Sequence, residues 1–296
     1  MDVKKWGFLF FFIILLAACS GDSRANETEE QDVLRVYTTI LPLEDFSKKI
    51  GGNHVTVTNL IPVGADAHTF EPTPKDLIDV ANGDVFIYNG AGLESFAEKL
   101  EQTLEGEGVT FVKAAQQIEQ QNSDPDPHVW LDPILAISLA EAIKEAFIEL
   151  MPEREEVFTE NFQTLKTELE QLDEEFRSLI AQANRDTIFV THAGYSYWEE
   201  RYGIKQIGIM GTSPTNEPSQ RELKQIIELA KAEDVNYILM ERNVQTNVTD
   251  VVLEALDAEM LYLYNLESIY EEERKNGEDY FSLMRKNIDT LQKALE

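Results

Sequence analysis

Two kinds of hydrophobic pattern alternate along the chain from residue 33 onwards. Short runs rich in β-branched residues are typical of strands, and apolar positions that recur every three or four residues are typical of helices. Strands are predicted over Leu34–Ile40, Val55–Ile61, Val85–Tyr88, Val109–Val112, Thr187–Thr191, Ile204–Ile209, Tyr237–Met240 and Met260–Tyr264. Helices are predicted over Pro42–Lys49, Pro74–Ala81, Leu93–Leu104, Pro133–Leu150, Tyr195–Tyr202, Ser219–Lys231, Val244–Leu256 and Tyr280–Leu295. Because the alternation occurs in two similar halves, we expect an α/β fold with mostly parallel sheets in two lobes.

A single long stretch separates the two halves. Residues Pro152–Ala183 contain no glycine or proline after the first position, and their apolar residues recur at helical spacing. A helix of about 30 residues spans roughly 45 Å, which is too long for one ordinary lobe. A coiled coil is the competing interpretation, but the apolar positions do not keep a strict heptad. We therefore expect one long rigid helix over 151–184 that joins an N-terminal lobe (33–150) to a C-terminal lobe (185–296).

The N-terminus has the pattern of a bacterial secretory signal. A basic start precedes the apolar run Gly7–Leu16, which is shorter than the about 20 residues that a membrane-spanning helix needs. Small residues and then Cys19 follow, and this order resembles a lipobox, in which the cysteine becomes the lipidated first residue. Cys19 is the only cysteine, so a disulfide framework is excluded; a non-lipidated signal with an incidental cysteine is the alternative. The prediction is a signal peptide over 1–18, a lipidated flexible tether over 19–32, and a protein anchored to the cell membrane on its extracytoplasmic face.

Acidic side chains strongly outnumber basic ones. The chain has 55 Asp and Glu against 25 Lys and Arg, a formal net charge of −30. Such a surface repels nucleic acid and anionic lipid, so neither is expected as a partner. Most of the acids lie on predicted helix faces such as Glu153–Glu175, which favours a solubility role in a saline or alkaline habitat over a role in concentrating cations.

Histidine is scarce, and its placement points to metal chemistry. Of the four histidines, His68, His128 and His192 lie in turn segments just past apolar stretches, 60 and 64 residues apart. His54, in Gly-Gly-Asn-His-Val, is predicted to be a solvated turn residue. A neutral imidazole is the commonest protein ligand for zinc and related ions. The three loop histidines therefore predict one metal site built where loops converge.

A fourth ligand is expected from the second lobe. Open parallel sheets bind ligands at the carboxyl ends of their strands, and two acids follow predicted strands there, Glu267 and its rival Glu241. Three imidazoles and one carboxylate fit tetrahedral zinc, a site richer in carboxylates would favour manganese, and a thiolate site is excluded. With one anionic ligand the site would carry a net charge of about +1. The neighbouring aromatic and acidic residues are predicted to pack or to cap turns rather than to bind metal, namely Trp130, Tyr195, Tyr197, Trp198, Asp66, Asp126 and Asp132.

These segments resemble a known family. The lipobox and the stretches Gly-Ala-Asp-Ala-His-Thr-Phe-Glu-Pro-Thr-Pro, Asp-Pro-His-Val-Trp-Leu-Asp-Pro, Thr-His-Ala-Gly-Tyr and Asn-Glu-Pro-Ser are similar to those of the metal-binding lipoproteins of bacterial ABC importers. This is the zinc/manganese class of solute-binding proteins, and the resemblance covers essentially the whole mature chain. It implies two α/β lobes joined by one rigid helix, with a metal ion in the cleft between the lobes. Its ligands would fall on His68, His128, His192 and Glu267.

The resemblance also implies the metal and the partners. Manganese-selective relatives tend to carry glutamate at the third ligand position, so His192 there resembles the zinc-selective branch. The loop Gln116–Pro127 lacks the histidines that many zinc members carry before the second ligand, so zinc selectivity would depend on the main site alone. The expected protein captures Zn²⁺ as its transported ligand and delivers it, as a monomer, to a membrane permease driven by an ATPase.

Three alternatives stay open at this stage. The first is a manganese-binding member of the same class. The second is an enzyme, a three-histidine zinc hydrolase or hydratase, which would need an open coordination position for water. The third is an adhesin whose metal is structural. We expect no enzymatic activity and no catalytic residue.

Overall fold

The strands form two parallel sheets of four strands each. The structure is a computed structural model that describes residues 33–121, 126–213, 215–242 and 247–296. The predicted signal peptide, Cys19 and the tether lie outside the described residues. The strands of the first sheet are β1 (Leu34–Thr38), β2 (Val55–Asn59), β3 (Val85–Tyr88) and β4 (Thr110–Lys113). Those of the second are β5 (Thr187–His192), β6 (Lys205–Met210), β7 (Tyr237–Met240) and β8 (Glu259–Tyr262).

Both sheets have the same topology. The strand order is β2-β1-β3-β4 in the first and β6-β5-β7-β8 in the second, and every pairing is parallel. The direction of the connections reverses between β1 and β3, and again between β5 and β7. In open α/β sheets, ligands bind beside such reversals, at the carboxyl ends of the strands. The predicted fold, two parallel-sheet lobes, is confirmed.

Helices cover both sheets and connect them. In the first half they are α1 (Leu41–Gly51), α2 (Pro74–Ala81), α3 (Ala97–Thr103), α4 (Gln116–Gln121) and α5 (Pro133–Leu150). In the second half they are α6 (Glu155–Ile180), α7 (Ser196–Tyr202), α8 (Gln220–Ala232), α9 (Asn247–Leu256), α10 (Glu271–Lys275) and α11 (Tyr280–Ala294). Short 3₁₀ turns lie at Gly52–His54, Val129–Leu131 and Pro152–Arg154. None of the helices in the described part of the chain combines the length and the apolar character that a membrane span needs.

Several helix starts follow from capping chemistry in the sequence. Thr73 and Ser219 each form a capping box, in which the hydroxyl accepts the N–H of the residue three positions on and that residue's carboxylate accepts the N–H of the cap. Asp132 caps α5 by accepting the N–H groups of Ile134 and Leu135. These contacts satisfy donors that the first turn of a helix leaves unpaired.

Several predicted boundaries differ from the structure, and β1 and β2, for example, each end two residues early. At two other boundaries, side chains redirect the backbone. The helix predicted from Leu93 begins four residues later, since Glu94 is turned inward and its carboxylate accepts the N–H groups of Asn89 and Gly90. The strand predicted to reach Tyr264 ends at Tyr262. The amide of Asn287 pairs with both the N–H and the C=O of Tyr264, each at 2.8 Å, in place of a neighbouring strand.

The long helix α6 joins the lobes within one continuous hydrophobic core. With 26 residues it is about 39 Å long. Near its start, Phe158 packs on Phe147 of α5, and near its end Phe176 stacks on Tyr202 of α7 with ring centroids 5.1 Å apart. The central core includes buried residues from both lobes and from α6, and a smaller separate cluster lies on the outer face of each sheet. The core therefore ties the lobes together along the whole linking helix.

Truncation of Phe176 tests the role of this helix in stability. Phe176 is fully buried, so Phe176→Ala should lower the free energy of unfolding by about 3–5 kcal/mol through lost burial and a residual cavity. Val157 lies on the exposed face of α6, and Val157→Ala should change that free energy by less than about 0.5 kcal/mol. Urea unfolding of the two variants measures both values, and equal losses would contradict the packing described.

Candidate metal site

Four side chains of metal-ligating types from distant parts of the chain converge between the two lobes. His68 comes from the connection between β2 and α2, and His128 directly precedes the 3₁₀ turn Val129–Leu131. His192 is the last residue of β5, and Glu267 lies in the connection between β8 and α10. One ligand atom from each of the four lies within 4.8 Å of those of the other three. The structure thus brings together all four residues that the sequence predicts as ligands.

Four of the six distances between these atoms match a small tetrahedral ion. The Nε2 atom of His128 lies 3.3 Å from that of His68 and 3.1 Å from that of His192. Glu267 Oε1 lies 3.5 Å from His68 Nε2 and 3.4 Å from His128 Nε2. Zinc–nitrogen bonds of about 2.0–2.1 Å place neighbouring ligands of a tetrahedron about 3.3 Å apart. The cluster therefore needs little rearrangement to hold such an ion.

The cluster is almost completely shielded from solvent. The side chains of His128 and His192 are fully buried and that of Glu267 is 1% exposed, whereas that of His68 is 10% exposed. Polar groups this deep are costly unless they are paired or bound to an ion. His68 thus marks the side of the cluster that faces water.

Two further carboxylates lie against the Nδ1 atoms of the buried imidazoles, as a hydrogen bond at His128 and as a close ion-pair contact at His192. Asp126 Oδ1 lies 2.6 Å from Nδ1 of His128, and Glu241 Oε1 lies 2.7 Å from Nδ1 of His192. A carboxylate at Nδ1 favours the tautomer with its hydrogen there, which leaves the lone pair on Nε2. Both buried imidazoles therefore direct the lone pair of Nε2 toward the centre of the cluster. Because the two Nε2 atoms are only 3.1 Å apart, their lone pairs repel unless a cation or a proton lies between them.

The carboxylates around His128 favour a proton on its imidazole. Burial alone would lower the pKa of His128, but the hydrogen bonds that its ring donates to the carboxylates of Asp126 and Glu267, with their negative charges, raise it to about 10. Burial opposes ionisation of Asp126 too, yet its contacts with His128 and with Ser196 lower its pKa to about 2. The pKa of Glu267 is also lowered, against its own burial, by His128 and His68. His128 is thus an imidazolium at neutral pH and must lose its proton before it can bind a metal.

Glu241, the rival for the fourth position, lies behind His192 and outside the four-atom cluster. It follows β7, beside the reversal in strand order where His192 ends β5. Its Oε1 also accepts a hydrogen bond from the hydroxyl of Tyr195 at 2.8 Å. The sequence placed this acid correctly at a strand end, but it could not show which side of the imidazole the carboxylate faces.

The four ligands alone would leave a divalent ion at the expected net charge of about +1, but two further carboxylates lie against the imidazoles. Asp126 and Glu241 contact the imidazoles directly, so three carboxylates, including Glu267, would surround one divalent ion, two of them buried and Asp126 half-buried. The role predicted for Asp126 from the sequence is that of a turn cap. It does accept the N–H of His128 at 3.0 Å, but its second role at the ring nitrogen depends on the fold. The excess negative charge strengthens the attraction for a cation.

The Glu267 segment is held by contacts from the N-terminal lobe. The N–H of Ala67 donates to Glu267 Oε2 at 3.1 Å, and the N–H of Leu41 donates to the Glu267 carbonyl at 3.2 Å. The preceding residue, Leu266, has φ of 62°, a left-handed conformation that is unfavourable for a residue with a side chain. Such strain persists only where surrounding contacts over-determine the backbone.

Gly194 leaves room for the cluster. A Cβ atom at this position would lie 2.6 Å from His192 Nε2 and 3.2 Å from His128 Cε1, both closer than ordinary van der Waals contact. Glycine is therefore required here by the imidazoles rather than by backbone conformation. Its role could be suspected from the Thr-His-Ala-Gly segment, but the sequence did not predict it.

The remaining predicted residues have structural roles. His54 lies outside the cluster in a 3₁₀ turn, half-buried against the ring of Phe158 rather than fully solvated. Asp66 caps a turn by accepting the N–H of Thr69. The predicted packing residues are buried, namely Trp130, Tyr195, Tyr197 and Trp198.

Two parallel-sheet lobes, one linking helix and a buried set of metal-binding atoms between the lobes define a metal-uptake solute-binding protein. The chain belongs to the ZnuA family, described as zinc-uptake complex component A, periplasmic, whose pattern matches residues 36–294. This membership confirms the predicted resemblance and the expectation that the protein is not an enzyme. Four protein atoms around one tetrahedral ion would also leave no open position for a catalytic water.

Relatives and solved structures agree with this family. The chain is 29% identical over 313 residues to the high-affinity zinc uptake system protein ZnuA of Bacillus subtilis (strain 168), covering 99% of this chain and 98% of that protein. It is 30% identical over 300 residues to the zinc-binding lipoprotein AdcA of Streptococcus pneumoniae (strain ATCC BAA-255 / R6), covering 96% of this chain but 59% of that longer protein. The crystal structure of the Zn(II)-bound ZnuA-like domain of S. pneumoniae AdcA superposes with a TM-score of 0.78 at 31% identity, covering 89% of this chain and 99% of that one.

Substitution of Gly194 tests the packing of the cluster without removing any ligand. Gly194→Ala places a methyl group against His192 Nε2, so we expect the affinity for a divalent metal to fall at least about tenfold. Gly211→Ala is the matched control, because its added Cβ has its nearest contacts with Asn216 alone. Metal titration of both variants decides the point, and unchanged affinity in Gly194→Ala would contradict the arrangement.

The raised pKa of His128 predicts that metal binding releases a proton. Because the imidazolium persists up to a pKa of about 10, protons compete with the metal over the whole neutral range. The apparent affinity should rise about tenfold for each unit of pH between about pH 6 and pH 8, and about one proton per metal should be released at pH 7. Calorimetry in buffers of different ionisation enthalpy counts the protons. Binding enthalpies that do not depend on the buffer would show that His128 is already neutral.

Proposed function

We propose that the protein captures Zn²⁺ outside the cytoplasmic membrane, with His68, His128, His192 and Glu267 as ligands. The observation that carries the proposal is the convergence of four ligand atoms at the spacing of a tetrahedral ion. Family membership supports the same conclusion, as do the zinc uptake of the relative ZnuA and the zinc binding of the relative AdcA.

Zinc is favoured over manganese by the chemistry of the donors. Three imidazole nitrogens and one carboxylate oxygen suit zinc, whereas manganese prefers a larger number of oxygen ligands. The two additional carboxylates, Asp126 and Glu241, face the Nδ1 atoms of imidazoles rather than the centre of the cluster. They raise the basicity of the nitrogens without adding oxygen to the coordination sphere.

The rest of the proposal concerns the cell envelope. The chain is cleaved after a signal over 1–18, is lipidated at Cys19 and is tethered to the membrane by 19–32. The N-terminal lobe (33–150), linking helix (151–184) and C-terminal lobe (185–296) act as a monomer that hands zinc to the permease and ATPase of an ABC importer. The lipoprotein name of the pneumococcal relative supports the anchor, and the uptake function of the Bacillus relative supports the delivery.

Release of the ion is proposed to need only small motions. The hydrophobic core is continuous across both lobes and α6, so a wide hinge opening would expose buried apolar surface. Loops can shift at lower cost, and the His68 segment is the ligand-bearing loop with the most exposed imidazole. Delivery then depends on local loop displacement rather than on separation of the lobes.

A zinc titration tests the ligand set. The protein purified without added metal should bind one zinc per chain in competition with a chromophoric chelator, and His192→Ala should lower the affinity at least about tenfold because one ligand is lost. His54→Ala is the matched control, since this histidine lies outside the cluster, and its affinity should stay within about threefold of the wild type. Competition with Mn²⁺ in the same assay should favour zinc.

Two results would overturn the proposal. A loss of less than tenfold in His192→Ala would show that the ligand set is wrong. An apo protein that unfolds when zinc is removed would favour a structural metal, as in the adhesin alternative. We expect the apo form to stay folded and its melting temperature to rise when zinc is added.

A further inference from the structure

One buried amide connects the two glutamates of the site. Asn265 is 7% exposed, and its Nδ2 donates to Glu241 Oε2 at 2.9 Å and to Glu267 Oε1 at 3.1 Å. An asparagine amide has two N–H donors, and here each donor serves a different carboxylate. No charge is added by this contact, so the attraction of the carboxylates for a cation is retained.

The carboxylates of Glu267 and Glu241 face different groups, and the site depends on each keeping its own partners. Glu267 Oε1 faces the Nε2 atoms of His68 and His128, whereas Glu241 Oε1 faces Nδ1 of His192. Each glutamate keeps its Oε1 on an imidazole, while the Asn265 amide donates to Oε2 of Glu241 and to Oε1 of Glu267. Without the amide, two like charges in a dry environment would repel, and either carboxylate could turn toward the ion.

The backbone of Asn265 contacts Trp130, which lies beside His128. Its carbonyl accepts the indole N–H of Trp130 at 2.6 Å, and the Trp130 ring lies 5.3 Å from the ring of His128. Its Oδ1 accepts the N–H of Glu267 at 3.1 Å, which closes a turn around the left-handed Leu266. Asn265 therefore contacts Glu267 itself and the neighbours of two histidine ligands.

We propose that Asn265 is a positioning residue that sets the metal preference of the site, and this rests on the proposed function. By holding Glu241 on His192 and one oxygen of Glu267 on the ion, it keeps the coordination sphere at three nitrogens and one oxygen. Loss of the amide frees Oε2 of Glu241, so that this second carboxylate can turn toward the ion, whereas Oε2 of Glu267 stays bound to the N–H of Ala67. The site then becomes richer in oxygen, which favours manganese relative to zinc.

Two variants separate the donor role from simple packing. Asn265→Ala removes the whole amide, and Asn265→Asp keeps the shape and the acceptor for the Glu267 N–H but replaces the donor nitrogen with oxygen. Asn287→Ala is the matched control. Asn287 is a fully buried asparagine that makes two hydrogen bonds to Tyr264, next to Asn265 in the chain, and none to a glutamate of the site.

The readouts are the Zn²⁺ and Mn²⁺ affinities of each variant, measured with competing chelators, and the visible spectrum of the Co²⁺-loaded protein. For both Asn265 variants we expect zinc affinity to fall about tenfold to a hundredfold and manganese affinity to fall less, so that the preference for zinc declines. The intense absorption of tetrahedral Co²⁺ should weaken as oxygen ligands are added. The Asn287 variant should lose thermal stability but keep both the metal preference and the spectrum.

Other results would overturn the inference about Asn265 or the proposed function. The inference is wrong if both Asn265 variants keep the zinc preference and the Co²⁺ spectrum, or if Asn287→Ala changes them as much. If Asn265→Ala does not fold, the isosteric Asn265→Asp decides alone. A wild-type protein that binds neither metal would instead overturn the proposed function.

Discussion

Three imidazole nitrogens and one carboxylate oxygen face a common centre from which water is nearly excluded, and this arrangement is stable only with positive charge inside it. The Nε2 atoms of His128 and His192 are 3.1 Å apart, and carboxylates at their Nδ1 atoms direct both lone pairs inward. The raised pKa of His128 favours a proton there, and a divalent ion would supply two positive charges at the same centre. Capture of a metal is thus an exchange of one cation for another.

The fold brings these atoms together with two sheets of the same topology, one in each lobe. Each lobe has its strand order reversed between the first and third of its strands, and the second lobe places His192 and Glu241 at that reversal. Contacts between the lobes then complete the site, since Glu267 is held by the N–H of Ala67 beside His68. The continuous core along α6 limits how far the lobes can separate, so the geometry of the site depends on the packing of the whole chain.

Much of this could be predicted from the sequence, and what could not be has a common physical cause. The scarcity of histidine and the turn segments around His68, His128 and His192 indicated the ligands, and strand periodicity indicated the parallel sheets. Asp126, Glu241 and Asn265 were missed or given other roles because their function depends on which partner the fold places beside them. The same cause explains two element boundaries that differ from the prediction. There, the side chains of Glu94 and Asn287 form hydrogen bonds with backbone groups of Asn89 and Tyr264, and the sequence does not show these pairings.

The coordination sphere itself is the most direct test, and X-ray absorption at the zinc K-edge measures it in solution. For the zinc-loaded protein we expect four light-atom neighbours at about 2.0–2.1 Å, with the multiple-scattering signature of three imidazoles. A spectrum with six oxygen neighbours, or with fewer than three imidazoles, would contradict the site described.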